Sequence, residues 1–104
     1  MTRNAERVHT DPVEIAHIQH RIELLPNGAH VSLRMEDGSQ IDGIVAARPV
    51  AQVFFGPDGE EGTNAVLRLE QPAMYHPETA RVRDVWVDRI LAIKRLDPEG
   101  IDTA

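Results

Sequence analysis

Gly28-Ala29-His30-Val31-Ser32-Leu33-Arg34-Met35-Glu36-Asp37-Gly38-Ser39-Gln40-Ile41-Asp42-Gly43 is the stretch whose reading decides the fold. Val31, Leu33 and Met35 alternate with His30, Ser32 and Arg34, a period of two that gives a strand one apolar and one polar face. Ile41, Gly43 and Val45 repeat the alternation. Asp37-Gly38 marks the turn, and parity chooses its length. A two-residue loop would pair Leu33 with Asp42, whereas a three-residue loop pairs Leu33 with Ile41 and joins the two apolar faces. The sequence therefore predicts a type I turn with Gly38 left-handed in a G1 bulge. Gly43 in mid-strand reads as a sharp bend, where a missing side chain lets the strand coil around a small barrel.

Upstream, Asp11-Pro12-Val13-Glu14 places a capping carboxylate, Pro at the first helical position and Glu three residues after the cap. Ile15, Ile18, Ile22 and Leu25 then recur at helical spacing, and Pro26-Asn27-Gly28 ends the run, so a helix is expected over 12–25. Residues 1–10 have no apolar period and read as a flexible arm. Downstream, Val50, Val53, Phe54 and Phe55 lead into an exposed acidic turn over Gly56-Pro57-Asp58-Gly59-Glu60-Glu61-Gly62. Asn64 to Glu70 resumes strand character, and Gln71 to Ala80 reads as an irregular loop. Val82 to Val87 and Ile90 to Leu96 make two short closing strands with only Asp88-Arg89 between them. The expectation is one domain over 11–97, with the helix at 12–25, a barrel over 28–96 of about five strands, and a polar tail over 98–104.

Composition bounds the function classes. The 104 residues carry 11 Lys plus Arg against 17 Asp plus Glu, a net charge of −6, and 41% are hydrophobic, which suits one small acidic domain. With no cysteine there are no disulfides, thiolate zinc sites or Cys nucleophiles, and nothing asks for an oxidising compartment. No apolar run approaches the roughly 20 residues of a membrane span, and the polar start argues against a signal peptide, so a cytoplasmic address and no membrane partner are expected.

A capped helix, a long bent hairpin with Asp-Gly at its tip and a glycine five residues on, and a late pair of short strands come in a specific order. In that order the chain resembles the Sm-like (LSm/Hfq-type) family of small β-barrels, on Gly28 to Gly43 and on Val85-Trp86-Val87-Asp88-Arg89-Ile90-Leu91-Ala92-Ile93. It is most similar to an uncharacterised bacterial group of variant Sm-like proteins. The resemblance implies a mainly β fold, an N-terminal helix followed by a strongly bent five-stranded antiparallel barrel with the helix over one end. It also implies single-stranded RNA or a ribonucleoprotein as partner, and homo-oligomers joined through edge strands. In the family an Asp-x-x-x-Asn pattern places an Asn that reads a base edge, with a stacking side chain two residues before it. Glu60 and Asn64 keep that spacing, but the stacking position is Gly62, and Pro49 to Gly62 is an insertion. Lys and His of the Hfq-like pattern correspond to Val87 and Asp88, and the Arg-Gly of other members to Asp88-Arg89.

Three residues are the candidate nucleic-acid contacts: Asn64 as a base-reading amide, Trp86 as a stacking platform and Arg89 as a phosphate clamp. Each has a structural alternative. Asn64 can bond its own backbone, Trp86 can be a core or interface aromatic, and Arg89 can pair with Asp84 or Asp88. Arg81, Arg83, Arg89, Lys94 and Arg95 against Asp84 and Asp88 make 81–95 locally cationic. His17 and His20 lie three apart on the helix, yet no third ligand is placed, so no metal or other cofactor is expected. Ser32 and Ser39 sit in no nucleophile elbow, and there is no phosphate-cradling Gly loop or HExxH, so no enzyme is expected. An Sm-like RNA-binding module is the first functional expectation, and a protein-interaction adaptor that has lost the RNA pocket is the alternative. A small-ligand barrel would need an internal cavity that this length barely allows.

Overall fold

The computed structural model describes residues 3–71 and 81–96. Within them Leu33 faces Ile41 across the first hairpin, the register that parity chose. Strands β2 (His30–Met35) and β3 (Gln40–Ala47) meet at a turn in which Gly38 takes a φ of 90° and donates to the Met35 carbonyl at 3.0 Å. An L side chain is strained at that φ, so the glycine is what lets a three-residue loop close.

Among the described residues eight strands form two sheets. The larger is antiparallel, in the order β7-β6-β3-β2-β8, and is completed by β6 (Val66–Gln71), β7 (Arg81–Trp86) and β8 (Ile90–Arg95). A single 3-10 turn, Val87–Arg89, joins β7 to β8. At Gly43 a Cβ would stand 3.0 Å from the Glu70 carbonyl oxygen and 3.2 Å from Leu69 Cβ, so the bare backbone lets β6 pack close as β3 bends. The sheet stays open: among the described residues β7 and β8 are its end strands, and the barrel does not close.

Helix α1 (Pro12–Glu23) starts as its residues dictate, with the Asp11 carboxylate accepting the Val13 N–H at 2.9 Å. It stops short of the expected Leu25 because Pro26 drives the residue before it out of the helical region. Ile18, Ile22 and Leu25 join Val31, Leu33, Ile41, Val45, Leu67, Leu69, Val87 and Ile90 in one core. Full burial of each such aliphatic side chain contributes about 1.5–3 kcal/mol. The helix packs against the 3-10 turn, which fixes the turn relative to the sheet.

Two expectations need correction. The insertion does not merely carry an apolar run into an acidic turn. It folds into a hairpin of β4 (Gln52–Phe55) and β5 (Glu61–Asn64), with Phe54 opposite Gly62. Nor does the first segment hang free. β1 (Arg3–Asn4) runs parallel to β4, Ala5 N–H bonds the Phe55 carbonyl at 2.8 Å, and His9 and Thr63 exchange both backbone bonds at 3.0 and 2.8 Å. Its backbone groups find partners in a distant hairpin, a pairing no local period can announce. Most of the expected loop at 71–80, and the polar tail, lie outside the described residues.

Candidate functional site

Asn64 ends β5 with its side chain sequestered, at 1% exposure. Its Nδ2 donates to the Arg7 carbonyl at 2.9 Å and its Oδ1 accepts the Ala65 N–H at 2.8 Å. The amide is a backbone clasp, and both of its ends are engaged. Gly62 lies under the first segment: a Cβ there would come within 2.8 Å of Val8 Cβ and 3.0 Å of the His9 backbone. Val8 and His9 therefore fill the space in which a stacking side chain would stand.

The turn positions are equally internal. Val87 is fully buried in the core. The Asp88 side chain is only 4% exposed and accepts from His9 Nε2 at 2.8 Å. Arg7 Nε stands 3.2 Å from the same carboxylate oxygen without hydrogen-bond alignment, and Arg7 Nη2 pairs with Glu36 at 2.9 Å. A buried carboxylate requires such partners. The network joins the first segment, the β2–β3 turn and the 3-10 turn, and Glu36 N–H adds a 2.9 Å bond to the Arg89 carbonyl.

Trp86 and Arg89 do come together. They line an open groove of about 370 Å³ between β7 and the β2–β3 turn, with Arg83 beside them, while Asn64 lies elsewhere. The Trp86 ring meets Phe54 edge to face, with centroids 5.3 Å apart. Arg89 Nη2 donates to Glu6 rather than to Asp84 or Asp88. Arg83 and Arg89 are set against Glu36, Asp37 and Asp84, so the groove is not a cationic one. Asp84 is engaged by Arg68 Nε at 3.1 Å, which raises the Arg68 pKa, and the Ser39 hydroxyl and N–H hold the Asp37 carboxyl below its ordinary value.

The capped helix, the hairpin of β2 and β3 with Gly38 at its turn, and the late pair β7 and β8 are the parts expected of an Sm-like protein. Residues 2–96 match the profile of a family described as a domain of unknown function, DUF3247. The chain belongs to that family. The DUF3247 chain is also similar to a crystal structure of XC5848 from Xanthomonas campestris, described as adopting a novel variant of the Sm-like motif. The two share 31% identity at a TM-score of 0.82, over 93% of this chain and 100% of that one. No curated protein matches.

Sequence reasoning missed Glu6, Arg7, His9 and Glu36, the residues that partner Arg89 and Asp88. Their signal is a reciprocal charge pattern between a terminus and a turn some 80 positions apart, as in the His9–Asp88 separation of 79. Among the described residues no cluster of three His, Asp or Glu is placed to hold a metal ion, and His20 Nδ1 lies 4.0 Å from Glu23. No described helix is long and apolar enough to cross a membrane.

Proposed function

We propose that this DUF3247 chain is a non-enzymatic protein-interaction module, an Sm-like fold that accepts partners by strand addition at its end strands. One observation carries this reading: Asn64 and Gly62, where the Sm-like resemblance puts a base, are met by the chain's own Arg7, Val8 and His9. Asn64 is engaged at both ends, Gly62 is covered by Val8 and His9, and Val87 and Asp88 face inward. Among the described residues β7 and β8 each have a strand neighbour on one side only, and such an edge can accept an extended chain.

Single-stranded RNA is the second reading, favoured by the shared groove of Trp86, Arg83 and Arg89. Its three carboxylates oppose a phosphate path, since binding by counterion release needs cations in excess. Fluorescence anisotropy of labelled uridine-rich and adenosine-rich oligonucleotides at low and physiological salt separates the two. The interaction-module reading expects no saturable binding at tens of micromolar protein, about ten times above a micromolar dissociation constant. Salt-sensitive binding that weakens with Trp86→Ala or Arg89→Ala would overturn it in favour of RNA.

A further inference from the structure

The two open edges differ in charge. Beside β7 the groove holds Arg83 and Arg89 against three carboxylates. Two grooves flank β8. One runs between α1 and β8 and presents Arg21 with His17 and His20, and the other lies on the outer face with Arg34, Lys94 and one carboxylate, Asp42. Among the described lining residues three fixed cations stand against one carboxylate, with Glu23 4.0 Å from His20, a positive strip on a chain whose net charge is −6. Arg21, Arg34 and Lys94 have no ion-pair partner among the described residues. Arg34 neighbours Ala92 and Ser32 neighbours Lys94 in the β2–β8 register, so both cations stand on one face beside the open backbone.

The same edge carries apolar anchors. Leu24 at the end of α1 is 43% exposed, and Leu91, at the register shift of β8, is 56% exposed. Both line the helix-side groove together with Ile93. A strand laid along β8 would place alternate side chains into these two grooves, because successive residues of a strand point to opposite faces.

We propose that the β8 edge is a docking site for an acidic extended peptide segment of a partner protein, added as a strand between the α1 groove and the Arg34–Lys94 face. The proposal deepens the protein-interaction reading and rests on it. A second copy of this chain suits the edge poorly, because the strand it would offer, β7, brings Arg81 and Arg83 while its Asp84 is already paired with Arg68. Like charges facing each other across strands are destabilising. A nucleic acid suits it poorly too, since among the described residues no aromatic ring lines either groove to stack a base.

The probe is a fluorescein-labelled octapeptide alternating glutamate and valine, with an alternating lysine and valine peptide as control, titrated into the full chain at low and high salt. The glutamate peptide is expected to bind, to weaken with salt, and to protect the amides of β8 from hydrogen exchange. Arg34→Glu combined with Lys94→Glu should weaken it about tenfold or more, as reversing charges at a complementary interface does. Arg81→Glu with Arg83→Glu, on the other edge, should leave it unchanged. Equal binding of both peptides, salt-independent binding, or protection on β7 alone overturns the acidic-segment proposal but keeps the interaction module. So does self-association in sedimentation that Lys94→Glu abolishes, which would make a second copy the occupant. Oligonucleotide binding lost in the Arg34 and Lys94 variant overturns both.

Discussion

Leu33 in the larger sheet and Asp88 in the 3-10 turn, where the segment that carries the smaller sheet is tied down, are both withdrawn from water, but for opposite reasons. Leu33 is held by Ile41, Ile93 and the rest of a continuous apolar core, whereas Asp88 is held by the His9 and Arg7 side chains. The larger sheet therefore rests on non-directional burial, and the attachment of the smaller one rests on directional pairs plus the Phe54–Trp86 contact. Apolar burial tolerates small shifts, while a buried charge whose partner moves away loses its compensation at once. The smaller sheet is the part that should detach first.

The largest effect belongs to Leu33→Ala. A fully buried leucine truncated to alanine costs about 2.7–5 kcal/mol, and the value is set by how far the surroundings collapse. Urea unfolding should show Trp86 fluorescence and far-UV circular dichroism lost together at a much lower midpoint, because the core spans every strand of the larger sheet. Separate transitions would show that the Trp86 end of β7 is held by the smaller sheet and not by the core.

Asp88→Asn is the second test, with an expected cost of about 2 kcal/mol. That is less than the roughly 3–5 kcal/mol of a wholly buried pair, since Arg7 is 40% exposed as a side chain and keeps Glu36 as a partner when Asp88 is neutralised. The location of the effect matters more than its size. Hydrogen exchange should quicken at Ala5, His9 and Thr63, whose N–H groups bond the Phe55, Thr63 and His9 carbonyls, while Val45 keeps its protection. Equal loss at Val45 would mean that the two sheets open as one unit and that the contrast between them is false.

The same division explains what could be read in the amino-acid sequence. The hairpin register, the Asp11 cap and the Gly38 turn are local: each follows from residues within a few positions, and each lies where expected. The smaller sheet is not local. Gln52–Phe55 and Glu61–Asn64 are four residues each, Val53 faces solvent, and Gly62 interrupts the second strand, so no period of two survives. The Asn64 spacing was legible while its role was not. Whether an amide meets a base or a backbone depends on whether another segment reaches it first, and here Arg7 does. Trp86 and Arg89 share a groove, yet the Glu6 that engages Arg89 comes from a stretch with no pattern of its own.

The smallest effect sits at the tip of the larger sheet and sets a local carboxylate against the long-range one at Asp88. Ser39 gives Asp37 Oδ1 both its hydroxyl at 2.6 Å and its N–H at 2.9 Å, and these bonds hold the Asp37 pKa below the ordinary 3.8. A carboxyl whose folded value is depressed contributes stability above its unfolded value, and that contribution is lost as pH falls through the folded one. Ser39→Ala removes the hydroxyl, the larger cause, and should bring the carboxyl back towards its ordinary value in an NMR titration. Because Asp37 is open to solvent, the loss of stability should be small, present above about pH 4, where an unperturbed aspartate is ionised, and gone once pH falls below the folded value. Hydrogen exchange at Ala5 and His9 should stay as in the unmodified chain. An Asp37 that titrates at its ordinary value before any substitution would mean the Ser39 bonds are not kept in solution, and the turn would then rest on Gly38 and the Leu33–Ile41 register alone.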